Sequence, residues 1–321
     1  MALNPPQWLF NYSQQLQSLI KFRLKDGTGI PDSLFHYTGF DGLLAILNYK
    51  TLRFTHIRYM NDSLEYHLGE DVLKGIMNSL DLHMYDDATR QFIEEFFKGV
   101  EVQLNKNVYV SCMTRNRDQL SQWRGYTPKA GGVCIEFETK PLMWRMLDMP
   151  ILFSAVCYDL EDQKRLLTSH LNLYIETISQ MLKETGQPEA SKSYLSTIIE
   201  TVAIVATQEI SKMKDSGFRE ESEVRIIYTP DYKAIAERFL LEQSKDVPRS
   251  YPSKPSFRTN NGKLIPYIDL PFHTNNVMPI KSITVGPNTD QDGAIHALRM
   301  LLDDQGLQEC PIYLSKTPYR E

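Results

Sequence analysis

The stretch Asn107-Val108-Tyr109-Val110-Ser111-Cys112-Met113 alternates in the manner of a strand, with Val108, Val110 and Cys112 on one side and Tyr109, Ser111 and Met113 on the other. Upstream, short strands are expected at Ser33 to Tyr37 and Thr51 to Thr55, with a helix opened by Thr38 or Asp41 between them. Asn61 or Asp62 supplies an N-cap, with Glu65 closing a capping box, for a helix to about Leu80; a further helix is expected from Asp87 to Leu104. Downstream come a short helix around Leu120 to Arg124, then strands from Val133 to Phe137 and Ile151 to Tyr158. Hairpin-like strand pairs thus interleave with single helices, without the regular strand-helix alternation of a doubly wound sheet. The expected class is α+β: a mixed, largely antiparallel sheet with flanking helices.

From Leu160 to about Asp215 the pattern turns helical, broken at Gly186-Gln187-Pro188, and reads as a long insertion between strands of one sheet. Strands resume at Ser222 to Tyr228, Leu264 to Leu270 and Ile280 to Val285, followed by a helix from Asp290 to Leu302 and a last strand near Ile312. Ser244 to Lys263, rich in Pro, Ser, Lys and Asn, reads as a mobile loop. An amphipathic helix, Gln7 to Phe22, makes residues 1–32 a helical appendage to a single α+β domain over 33–321.

Composition narrows the function classes. Of 321 residues 42% are hydrophobic and 23% charged, which is the balance of a chain that folds by itself. No apolar run approaches membrane-spanning length and the start lacks a secretory pattern, so a cytoplasmic protein without a membrane partner is expected. Cys112, Cys134, Cys157 and Cys310 read as reduced, buried thiols. A net charge of −5 argues against a protein whose main task is coating nucleic acid, although Lys245 to Lys263 forms a local basic stretch, as do Arg115, Arg117, Arg124 and Lys129. Walker, Gly-x-Gly-x-x-Gly, Gly-x-Ser-x-Gly and His-Glu-x-x-His motifs are missing, and the seven histidines do not fall at metal-ligand spacings, so no metal is expected.

A smaller set of residues carries possible chemistry. His36, at the end of its strand in Leu34-Phe35-His36-Tyr37-Thr38, either projects into a crevice or is a satisfied core histidine. Glu221-Ser222-Glu223 opens the strand that continues to Tyr228, and a period of two puts both carboxylates and Arg225 on one face, as a catalytic pair or as a surface ion-pair ladder. Ser111 stands on the face of Tyr109. In Asp118 to Tyr126, Trp123 and Arg124 would either stack on a base and hold a phosphate or belong to the core.

His36-Tyr37-Thr38, Arg58 through Glu65, Trp123 with Tyr126, Gly132 through Ile135, Phe218 through Arg225 and Val285-Gly286-Pro287 together resemble a large bacterial family of unknown function, over about residues 33 to 315. That family is in turn similar, at a distance, to the ADP-ribosyltransferase superfamily. The resemblance implies NAD as substrate, with His36 holding a ribose hydroxyl, Tyr109 and Ser111 standing in the second strand of the site, and Glu223, the latter of a Glu-x-Glu pair, as catalytic glutamate. Tyr109 to Met113 matches the superfamily's aromatic-x-Ser-Thr-Ser pattern only in its first part. Glu221 would orient or deprotonate an acceptor; Tyr37, Thr38, Trp123 and Arg124 would bind the dinucleotide, and Arg53, Arg115 or Arg124 would neutralise its pyrophosphate.

The function so implied is an NAD-consuming ADP-ribosyltransferase or NAD glycohydrolase, acting as a toxin or in conflict between bacteria and phage, with a protein or nucleic acid as macromolecular acceptor. The alternatives are a non-catalytic nucleotide-binding or interaction module, and an RNA-processing enzyme of related fold that uses the basic stretch as its footprint.

Overall fold

The computed structural model describes residues 31–318 apart from 61–63, 105–106, 147–148, 150, 186–198, 201, 231–251, 253, 274–276 and 288–289. The expected N-terminal helix, the cap at Asn61 or Asp62 and the break at Gly186-Gln187-Pro188 lie outside those residues. In chain order the elements are β1 (Ser33–Thr38), α1 (Phe40–Tyr49), β2 (Thr51–His56), α2 (Leu64–Ser79), α3 (Asp87–Gln103), β3 (Tyr109–Thr114), α4 (Leu120–Tyr126), β4 (Val133–Glu138), α5 (Thr139–Met146), β5 (Ile151–Ala155) and α6 (Leu160–Thr185). Then come α7 (residues 202–210), β6 (Glu223–Tyr228), β7 (Ser256–Asn260), β8 (Lys263–Pro271), β9 (Ile280–Val285), α8 (Gln291–Asp304) and β10 (Ile312–Leu314).

The strands form one sheet in the order β10-β9-β4-β1-β3-β2-β8-β7, with β6 also paired to β3 and β5 paired to β6. Only the β9–β10 pair is parallel among the described pairs, so the sheet is mixed and mostly antiparallel. Alternation along β3 divides its side chains between two cores. Val108 and Val110 join a cluster with α2, α3, α6 and α7, whereas Tyr109 and Met113 join another with α1, α5 and α8. The helical insertion, together with α2 and α3, thus covers one face, and α1, α5 and α8 cover the other.

Two expectations about strands need correction. Ser256–Asn260 does not belong to a loop: it pairs antiparallel with β8, Ser256 opposite Tyr267 and Asn260 opposite Lys263. Asn261-Gly262 makes the turn, with φ of 48° and 74°, the left-handed backbone that a two-residue hairpin requires and that Asn and Gly tolerate. The other correction concerns β5, which ends at Ala155; beyond it Cys157 bridges to Met213 instead of continuing the ladder with β6. Among the described residues no helix is long and apolar enough to cross a membrane.

One close approach fixes where β1 ends. A Cβ on Gly132 would lie 2.5 Å from the carbonyl oxygen of Thr38 and 2.9 Å from Thr127 Cβ, so only glycine lets the chain enter β4 beside the end of β1. We expect Gly132→Ala to cost about 1–3 kcal/mol through overpacking. Gly75→Ala in α2, where a Cβ meets nothing within 4 Å, should stabilise by about 0.5–1 kcal/mol. Urea denaturation midpoints check both; an unchanged midpoint for Gly132→Ala would contradict the packing described.

Candidate functional site

One edge of β3 is paired along its whole length with β6, from Tyr109 opposite Tyr228 to Thr114 opposite Glu223. The other edge is divided. There β1 registers at Phe35 with Thr114, and β2 at Thr55 with Val110 and His56 with Tyr109. Among the described residues no register pair on this edge includes Ser111, Cys112 or Met113. Outward of the gap β1 continues in full register with β4, and β2 with β8, so the two strands diverge and leave an opening in the sheet.

A cavity of about 450 Å³ occupies this opening, within the range usual for small-molecule sites. The register assigns its lining to two faces. Residues directly opposite one another in an antiparallel pair share a face, as do residues two apart. Glu223, Thr114, Cys112, Arg53, Asp269 and Arg258 therefore stand on one face, and His36, Thr38 and Ser111 on the other. The opening between β1 and β2 lets both sets border one space, with Gly42, Ala45 and Ile46 of α1 at one side and Gln122 and Tyr126 of α4 at the other.

His36 reaches across the opening, its Nδ1 lying 3.1 Å from the carbonyl oxygen of Cys112. A carbonyl only accepts, so Nδ1 carries the hydrogen, and in the neutral ring Nε2 keeps its lone pair as an acceptor. Burial lowers the imidazole pKa more than this hydrogen bond raises it, which keeps the ring neutral at physiological pH.

At the other end the carboxylates are held by a local break in the strand. Glu221 ends a 3-10 turn, Ser216–Glu221, and Ser222 takes a left-handed conformation with φ 46°, so β6 begins at Glu223 and not at Glu221. The two carboxylates are therefore not neighbours on one strand face. Lys214 joins them: its Nζ donates to Glu221 Oε2 at 2.7 Å and to Glu223 Oε2 at 3.1 Å, and lies 4.8 Å from the Phe218 ring centroid. Arg225, on the face of Glu223, donates through Nε to Oε1 at 2.7 Å and through Nη2 to Oε2 at 3.2 Å, while its Nη1 donates to the Ser211 carbonyl.

This is not a surface ladder, since Arg225 is 1% and Glu223 6% exposed. Burial alone would push the Glu223 carboxyl up, but the charge and hydrogen bonds of Arg225, with Lys214, more than offset it and leave the pKa at about 2. Glu221 is half-buried, and the Tyr126 hydroxyl donates to it at 3.2 Å. Burial pushes the Tyr126 phenol up, so it remains a donor.

Of the residues singled out in the sequence, His36, Tyr37, Thr38, Arg53, Ser111, Glu221 and Glu223 line the cavity, and Tyr109, Trp123 and Arg124 do not. Trp123 is 2% exposed: its indole donates to Asp118 at 2.7 Å and meets the Tyr37 ring edge-on at 4.7 Å, so it has no face left for a base. Tyr109 is core, edge-on to His56. Arg124 is exposed on α4, and Arg115 borders a separate shallow groove with Phe35 and Arg117. Asp269, Arg258 and Lys214 were not anticipated as parts of the site. Asp269 and Arg258 come from the β7–β8 hairpin, which the Asn261-Gly262 pair signals; Lys214 has no local signal, because only the fold brings it to the carboxylates.

Residues 122–226 match the model of a family described as a protein of unknown function (DUF2971). The match runs from α4 through most of β6, and so takes in Tyr126, Lys214, Glu221, Glu223 and Arg225, a narrower span than residues 33 to 315. No curated protein and no solved structure matches the chain.

Arg225→Met takes away the bidentate partner of a buried carboxylate and leaves it with Lys214, which Glu221 shares, so the change should destabilise by up to about 3–5 kcal/mol at neutral pH. Adding Glu223→Gln should recover part of that loss. A carboxylate whose pKa falls from 4.5 to about 2 on folding contributes stability that is complete above about pH 4.5 and lost as pH falls towards 2. Denaturation midpoints between pH 7 and pH 3 check this: the slope of stability against pH below 4.5 should flatten in Glu223→Gln. An equal slope in both proteins would contradict the ion pair.

Proposed function

We propose that the chain cleaves the bond between nicotinamide and ribose of NAD, as an ADP-ribosyltransferase or NAD glycohydrolase, in the cavity between β1 and β2. The observation that carries the reading is that His36, Ser111, Glu221 and Glu223, from three different strands and the turn before one of them, border one space.

The chemistry assigns the residues different tasks. When the glycosidic bond breaks, its electron pair goes to the pyridinium nitrogen and neutralises that charge, while positive oxocarbenium character develops on the sugar. The leaving group needs no proton. What the reaction needs is a fixed negative charge, and Glu223, ionised above about pH 2 and held by two cations, is suited to that and not to proton transfer. Glu221, less buried and braced by Tyr126, is suited to grip a ribose hydroxyl or to take the proton released when water or an acceptor attacks the cation. The Nε2 lone pair of His36 is available to accept from a ribose hydroxyl.

A second reading, a nucleotide-binding module without turnover, is favoured by one feature. Both Glu223 oxygens are engaged by Arg225 and Lys214, which disperses the charge that catalysis would use. Nicotinamide release from NAD, with and without bacterial lysate, separates the two. Turnover should fall by at least about 100-fold in Glu223→Gln, a nearly isosteric change. Release only with lysate identifies a macromolecular acceptor; no release in either condition from folded protein rejects the enzyme.

A further inference from the structure

Five side chains bordering the cavity carry a full charge: Arg53, Glu221, Glu223, Arg258 and Asp269. Four of them are balanced. Asp269 holds Arg53 through two hydrogen bonds of 2.9 and 3.0 Å, and Lys214 and Arg225 hold the two glutamates. Arg258 is the exception, having no carboxylate partner among the described residues. Its Nε is shielded from solvent and finds no acceptor among the described residues. A guanidinium nitrogen desolvated without an acceptor is costly, and a half-buried cation facing a cavity calls for a counter-charge from outside the chain.

Position gives this residue a task. Arg258 is the only residue of β7 that is not exposed, and alternation turns it to the same face as Asn260, which also borders the cavity. The hairpin holding it is short and tightly turned, and the chain just before β7 is anchored where the Tyr228 hydroxyl donates to the Pro252 carbonyl at 2.8 Å. In the order β3-β2-β8-β7 it stands three strand spacings from β3, about 14 Å, while the glutamates lie on the opposite side of β3. Cation and carboxylates are thus at opposite ends of the space, too far apart to neutralise one another directly.

We infer that Arg258 is the anion-binding side chain of the cavity and takes a phosphate group of the ligand. A guanidinium presents its donors in a fork that matches the geometry of phosphate oxygens, and its Nε is one of those donors. Arg53 is occupied by Asp269, so the charge that phosphate meets comes from β7. If the NAD reading holds, on which the orientation of the ligand rests, the pyrophosphate lies towards the hairpin and the reacting ribose towards Glu221 and Glu223.

The test is the dissociation constant of inorganic pyrophosphate, measured by calorimetry on the native protein, Arg258→Gln and Lys263→Gln. Lys263 is exposed at the hairpin tip and its change removes the same charge without touching the cavity. Loss of a desolvated charge-assisted contact should weaken binding by about tenfold or more in Arg258→Gln and leave Lys263→Gln as native. Pyrophosphate that fails to bind the native protein, or binds folded Arg258→Gln equally well, overturns the inference. The outcome is separable from nicotinamide release. Arg258-dependent binding without NAD cleavage keeps the anion subsite and rejects the enzyme, whereas NAD cleavage with an unchanged KM in Arg258→Gln does the reverse.

Discussion

A strand has two edges, and β3 has three neighbours. With one edge given entirely to β6, the other must be shared by β1 at Thr114 and by β2 at Tyr109 and Val110, and the residues between are left without a strand opposite them. Because β1 and β2 are each bound on their outer sides to β4 and β8, neither can close the gap without giving up its other ladder. The cavity is therefore a consequence of topology. Its floor is the middle strand of the sheet, rigidly placed by cores on both faces, which is where a site needing fixed geometry gains most.

The same constraint explains why burial and charge coexist here. The glutamate end lies under the helical insertion, and a lone carboxylate there would protonate; Arg225 and Lys214 keep Glu223 ionised instead. That arrangement holds two like charges on Glu221 and Glu223 at one end of a small cavity, while Arg258 sits at the other with its Nε unsatisfied. Polarity of this kind is of little use to folding, since replacing a buried ionic cluster by apolar side chains is often neutral or stabilising. It is useful to a ligand that carries an anionic group at one end and develops a positive centre at the other.

Much of the fold was legible because the strands have strong local patterns. The alternation of Tyr109 to Thr114, the apolar run of β6 and the boundaries of β9 follow from side-chain period, and the α+β class follows from their order. The second strand of the hairpin was legible, but the first, Ser256–Asn260, was missed because it is polar and mostly exposed, a composition shared with loops; the Asn261-Gly262 turn carried the signal. The glutamates were legible as a pair but not in their geometry. A period of two assumes extended backbone through Ser222, and the left-handed φ there breaks it, so their meeting depends on Lys214, from a segment that reads only as helical. Trp123 illustrates the opposite error: an aromatic beside basic residues suggests stacking on a base, but its indole is consumed by Asp118 and Tyr37.

The central claim, that the opening between β1 and β2 is where a nucleotide binds, is most directly tested by methionine methyl NMR during titration with NAD. Met60 and Met113 border the cavity, whereas Met146, the last residue of α5, is buried in the core and Met300 is exposed on α8. The account predicts that NAD moves the Met60 and Met113 resonances and leaves those of Met146 and Met300 in place. Shifts confined to Met300, or none at Met60 and Met113 in excess NAD, would contradict it.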